Sequence, residues 1–127
     1  WLMNTDSVTS CEFIKSGKFV NKESNEITTS GYYIIFEDGF ATEYVQDGKY
    51  YLKSKIEFLS DCKYKSTVIE VTMPNYPLGA GTIIYTEIIE TALSDNLIEI
   101  KSTFEGKDHY FVLQKIEEWE VQKKNVV

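Results

Sequence analysis

Apolar and polar residues alternate with a period of two over most of this chain, the pattern of strands with one wet face. Lys49 to Leu59 shows it most cleanly. Tyr50, Leu52, Ile56 and Phe58 share one side, while Lys49, Lys53, Lys55 and Glu57 fall mostly on the other. Cys62 to Thr72 repeats the pattern, with Tyr64 and Ser66 set against Lys63 and Lys65. Further strands are predicted at Phe13–Val20, Thr28–Phe36, Phe40–Gln46, Thr82–Thr91, Leu97–Phe104 and His109–Ile116.

Turn chemistry separates these segments at intervals of about eight to twelve residues, the rhythm of an antiparallel barrel or sandwich. Asp38-Gly39 and Asp47-Gly48 are hairpin corners, because glycine accepts the positive φ such turns require. Ser60-Asp61, Ser94 to Asn96 and Glu105 to Asp108 mark further corners, and Asn21 to Asn25 is polar and turn-like. Gly17 is expected to mark a bulge or a close backbone approach, and Gly31 a bend. Met73 to Gly81 interrupts the rhythm with Pro74, Pro77, Gly79 and Gly81, so it is the longest loop and the best placed to carry function.

The result is an all-β antiparallel meander of about eight strands in one domain, residues 11–117, closing into a small barrel or folding as a sandwich. Residues 1–10 form a polar lead-in. Residues 118–127 are a charged tail, interrupted by Trp119, Val121 and the terminal valines, and are expected to be loosely held or helical.

Composition agrees with strands: aromatics make up 14% of the chain, nine of them Tyr. At 127 residues the chain can bury roughly two-thirds of its unfolded surface without help from a metal. Charge narrows the choice of partner. The net charge is −7, and all 13 basic residues are Lys. An acidic chain without Arg lacks both the bidentate fork for phosphate and a concentrated basic face, which argues against nucleic acid and anionic membranes. Neutral, apolar or cationic partners remain. No apolar run is long enough to span a bilayer as a helix, which predicts a soluble form. The first residues, Trp1 to Asp6, lack the basic start and apolar stretch of a signal peptide, and a start at Trp suggests trimming.

Two cysteines, Cys11 and Cys62, lie beside predicted strands. In an exported protein they would pair, stabilising the fold by about 4 kcal/mol through loop closure. In a cytosolic one they would be two buried thiols. With His109 as the one histidine, they give only three soft ligands without zinc spacing.

No catalytic, metal or cofactor motif stands out. His109 would have to serve any histidine-based mechanism, with Ser60 and Asp61 as imaginable companions, but a surface or edge position suits it better. Glu43, Glu57, Glu70 and Glu87 fall within strands, where alternation predicts that most face water. Gly79-Ala80-Gly81 lacks the lysine and helix of a phosphate loop. The tyrosines are the most suggestive set: Tyr32, Tyr33, Tyr44, Tyr50, Tyr51, Tyr64, Tyr85 and Tyr110. Turned inward they would line a ligand cavity. The reading preferred here is that they fill the core or pair across strands, because so small a barrel can be packed solid.

Three stretches carry a family resemblance. Cys11 to Phe19 (CEFIKSGKF), Ile56 to Tyr64 (IEFLSDCKY) and Gly81 to Glu90 (GTIIYTEIIE) resemble segments of small exported proteins of Bacteroidetes-type bacteria, described as lipocalin-like. Gly17-Lys18-Phe19 is similar to the Gly-Xaa-Trp signature on the first lipocalin strand, with Phe in place of Trp and no Arg in the chain to cover the ring. The resemblance implies a lipocalin-like barrel, with a sandwich as second choice, and a Cys11–Cys62 disulfide. It also implies export to the periplasm or exterior after removal of a signal peptide. It brings no catalytic residue. The expected function is binding of a small apolar or neutral ligand, with Met73 to Gly81 near the barrel mouth. The alternative is a structural or protein-interaction module of the bacterial envelope or exterior, and an enzyme is not expected.

Overall fold

A computed structural model describes residues 2–23, 26–28, 31–77 and 79–117; the tail expected to be loose or helical lies outside the described residues. Its strands are β1 (Gly17–Glu23), β2 (Glu26–Thr28), β3 (Tyr33–Glu37), β4 (Phe40–Val45) and β5 (Tyr50–Ser60). They continue as β6 (Lys63–Val71), β7 (Ile83–Ala92), β8 (Leu97–Phe104) and β9 (Lys107–Glu117). All pairings are antiparallel; β1 pairs with both β2 and β3, each strand from β3 to β9 pairs with the next, and β9 returns to pair with β1. Eight strands therefore close on themselves. The short β2 pairs with the end of β1, beyond the stretch of β1 that pairs with β3. This is a closed meander barrel, one of the two outcomes the alternation allowed, with the lipocalin-like architecture the resemblance implied; the sandwich is set aside.

Local chemistry fixes the register. Asp38 and Gly39 both take positive φ (53° and 81°), the conformation of a two-residue hairpin whose twist matches its strands. That turn sets Phe36 opposite Ala41 and Ile34 opposite Glu43. Because side chains alternate, all four share one face, and it is the inside. The β1–β9 register shifts between Lys18 and Phe19, one residue after Gly17, where a bulge was expected.

Three boundaries differ from the sequence reading. The predicted strand Thr28–Phe36 is divided: Thr28 closes β2, β3 begins at Tyr33, and each pairs with its own stretch of β1. The segment beginning at Phe13 is not yet strand: Cys11–Ile14 form a 3-10 turn, and β1 starts at Gly17. Cys11 and Ile14 are buried, so this turn is used as a plug, and its apolar residues serve burial rather than pleating. Asn21–Glu23, expected as turn, extend β1, because β2 and β9 supply backbone partners there.

The core sits at the end of the barrel that this plug covers. Phe19, fully buried, meets Phe13 and Phe36 edge-on at 5.8 and 5.6 Å. Tyr64 completes the cluster against Phe36 and Phe58. Cys11 is bonded to Cys62 in the β5–β6 turn, with Cα atoms 5.3 Å apart, so the plug is tied to the barrel rim. The lead-in is held there too. The Asp6 amide donates to the Thr91 carbonyl (2.8 Å), the Thr91 hydroxyl donates to the Asp6 carboxylate (2.5 Å), and the Ser10 amide donates to the Thr91 hydroxyl (2.9 Å).

One correction concerns the aromatic ring on the first strand. Phe19 is not left uncovered for want of Arg: the Lys115 ammonium from β9 lies 5.5 Å from its ring centroid and 4.5 Å from that of Phe13. A lysine meets the same cation–π requirement with a point charge in place of a planar fork.

Candidate functional site: the barrel cavity

The barrel is not packed solid. Above the aromatic floor lies a cavity of about 260 Å³, bounded by inward side chains from every barrel strand. Its origin is a set of small inward residues. Ala41 on β4, Ser54 on β5, Ser66 on β6 and Ser102 on β8 occupy positions where larger side chains would meet across the lumen. Phe36 and Tyr64 form its floor above the plugged end. Asn21, Tyr32, Tyr76 and Phe104 stand toward the opposite end, where the β4–β5, β6–β7 and β8–β9 connections lie.

Polarity inside is uneven. Ile34, Phe36, Ala41, Leu52 and Ile56 give an apolar wall on β3 to β5. On β6 to β8 a row of hydroxyls crosses the sheet: Tyr64 pairs in register with Thr86, and Thr86 with Ser102. The Thr86 and Ser102 hydroxyls are 3.1 Å apart. Burial drives the Tyr64 hydroxyl far above its ordinary pKa, although Thr86 beside it acts in the opposite direction, so Tyr64 presents a neutral O–H.

Glu43 is the unexpected member. Alternation suggested that most strand acids face water; Glu43 is the exception, placed by the register of the β3–β4 hairpin on the inner face, beside Ile34 and Leu52. The Tyr32 hydroxyl donates to its Oε1 at 2.8 Å. Burial raises the Glu43 pKa and this hydrogen bond partly offsets the rise. The same burial, with the Glu43 charge adding to it, holds the Tyr32 proton well above the usual phenol range. Tyr76, from the long β6–β7 loop, is shifted the same way by burial and by Glu43. The loop singled out for its prolines and glycines thus delivers a side chain to the cavity.

The other candidates are placed elsewhere. Glu57 and Glu87 make surface ion pairs with Lys65 (3.9 Å) and Lys101 (3.4 Å), contacts of small energetic weight, and Glu70 is exposed. His109 stacks on Phe104 near the open end, whereas Ser60 and Asp61 lie at the β5–β6 turn of the plugged end, so the three do not assemble. The tyrosines divide. Tyr32 and Tyr64 face the cavity; Tyr33, Tyr44 and Tyr51 form an outer cross-strand ladder with centroids 4.8 and 6.0 Å apart; Tyr85 and Tyr110 are exposed. Among the described residues no cluster of three or more metal-ligating side chains occurs.

Sequence reasoning missed Glu43, Ser54 and Ser102 as site residues. The signal was available: counting outward from the two-residue turn at Asp38-Gly39 puts Glu43 on the side of Phe36 and Ile34. No protein-family model, curated protein or solved structure matches this chain. Its geometry therefore has to speak for itself.

Proposed function

We propose that this protein binds a small, largely apolar molecule inside its barrel, with the β6–β7 loop at the mouth. The cavity carries the reading. A well-packed core of this size leaves few voids larger than a water, whereas 260 Å³ is the liquid volume of roughly nine waters and approaches the lower bound of small-molecule pockets. Its lining matches too: apolar walls with a few placed polar groups supply affinity and orientation, respectively.

A lipocalin-like relationship is part of the same proposal, and Lys115 over Phe19 supplies a cation at the first-strand aromatic in a chain that has no Arg. Export to the periplasm or exterior is part of the same proposal. It is supported by the Cys11–Cys62 bridge, since disulfides persist in oxidising compartments. The alternative, a protein-interaction module, has the exposed Ile83, Tyr85 and Tyr110 in its favour. Lys65 and Lys101 stand beside them in the register, which breaks up the apolar surface.

Native mass spectrometry set against the denatured mass tests for a co-purified molecule. A direct test titrates 2-phenylethanol, a neutral probe of about the cavity's capacity, by NMR. Ser66→Phe, which fills the lumen, is expected to weaken binding at least ten-fold, while Thr67→Phe on the outer face leaves it unchanged. Equal binding by both variants, or no binding by the wild type, overturns the proposal.

A further inference from the structure

Resting on the reading of the cavity as a ligand site, we propose that its occupant is a small amine, whose protonated nitrogen seats on the Glu43 carboxylate. Its apolar body would lie along Ile34, Phe36 and Leu52.

Three observations converge. First, Glu43 is the one charged residue in the cavity lining; His109, paired in register with Ser102 and stacked on Phe104 toward the mouth, lies outside that lining. Tyr32 is its single hydrogen-bond partner among the described residues, and that partner is neutral. A half-buried carboxylate held by one hydroxyl carries a desolvation cost in a barrel interior, where Leu or Val would suit the alternating pattern. A cation delivered by the ligand removes that cost, because a buried charge is tolerable when it is paired and hydrogen-bonded.

Second, Tyr32 is arranged to support the ionised form. It donates to Oε1, so an arriving ammonium meets a carboxylate already fixed in orientation, and little side-chain entropy remains to be lost. The neighbouring titratable groups, Tyr32, Tyr64 and Tyr76, are all phenols whose protons are held more tightly than usual, so none competes as a charge.

Third, selectivity extends beyond the pocket. A chain of net charge −7 draws cations and repels anions at long range, and Tyr32 and Tyr76 in the lining toward the mouth add aromatic rings, which attract a cation rather than an anion over their faces. The hydroxyls of Thr86 and Ser102 across the lumen are suited to a second, neutral polar group on the same ligand.

Three probes of nearly equal size separate the outcomes: 2-phenylethylamine, 2-phenylethanol and phenylacetate, each titrated into wild type and Glu43→Gln by NMR or calorimetry. The expected result is an amine preference of at least ten-fold over the alcohol in wild type. In Glu43→Gln that preference should vanish while alcohol binding persists, which also shows that the variant is folded. If amine and alcohol bind equally to wild type, or the preference survives in Glu43→Gln, the amine assignment is overturned and the ligand cavity stands. Tightest binding of phenylacetate overturns it as well, by showing a protonated Glu43 that donates to an anion. If none of the three binds, the cavity reading falls and takes this inference with it.

Discussion

At the scale of single residues, the inner face contains one conspicuous departure from what packing alone would choose, and that is Glu43. Its consequence for stability has a definite sign. Burial raises the Glu43 pKa above its unfolded value, so the folded state holds the proton more tightly than the unfolded chain does. Stability is therefore highest in acid, as far as this group is concerned, and is lost as pH rises from the ordinary carboxylate range through the raised folded value. In ligand-free protein, Glu43→Gln should melt above wild type near neutral pH, with the gap closing below about pH 4, where both forms are uncharged. Thermal melts of the two proteins across that range check it, and a variant that melts lower at neutral pH would refute the sign. Phe19 makes the complementary point. A fully buried ring with two aromatic neighbours and a lysine over its face is positioned by packing, and nothing about it is chemically reactive.

Elements are held by different means at the two ends of the barrel. At the plugged end the Cys11–Ile14 turn buries two of its four residues and has no side-chain cap, so its attachment depends on packing and on the bridge to Cys62. Replacing both cysteines by serine releases a closed loop of 51 residues in sequence separation and should cost about 4 kcal/mol in denaturant-measured stability. The untreated protein should show no titratable thiol. At the open end, short turns join β4 to β5 and β8 to β9, whereas the longer β6–β7 loop is anchored where the Gly81 amide donates to the Val68 carbonyl (2.7 Å) and the Thr72 amide to the Tyr51 carbonyl (3.0 Å). Between those anchors Tyr76 reaches the cavity.

For the whole molecule, closure is the decisive event. Pairing of β1 with β9 joins residues 18–21 to residues 113–117, the most distant partners along the chain, and leaves the barrel without the long unpaired edge of an open sheet. Hydrogen exchange tests it. Amides of Phe19 to Asn21 and of Leu113 to Lys115 should be protected to a degree comparable with β5 and β6, whereas an open sheet or sandwich would leave one of those segments fast. Closure also creates the enclosed lumen, so loss of protection there and loss of probe binding should occur together.

How much of this was legible follows from the range of the interactions involved. Alternation and turn chemistry are local, and they were enough to give the strands, the Asp38-Gly39 and Asp47-Gly48 corners, the bulge near Gly17 and the meander order. They failed at Phe13, because an apolar residue reads the same whether it pleats into a sheet or plugs one. They failed at Glu43, because facing direction is decided by register with β3 and not by the charge of the side chain. The barrel's hollowness was not legible either. Whether Ala41, Ser54, Ser66 and Ser102 leave a void depends on their converging from different strands at one height in the lumen, and only long-range closure brings them there.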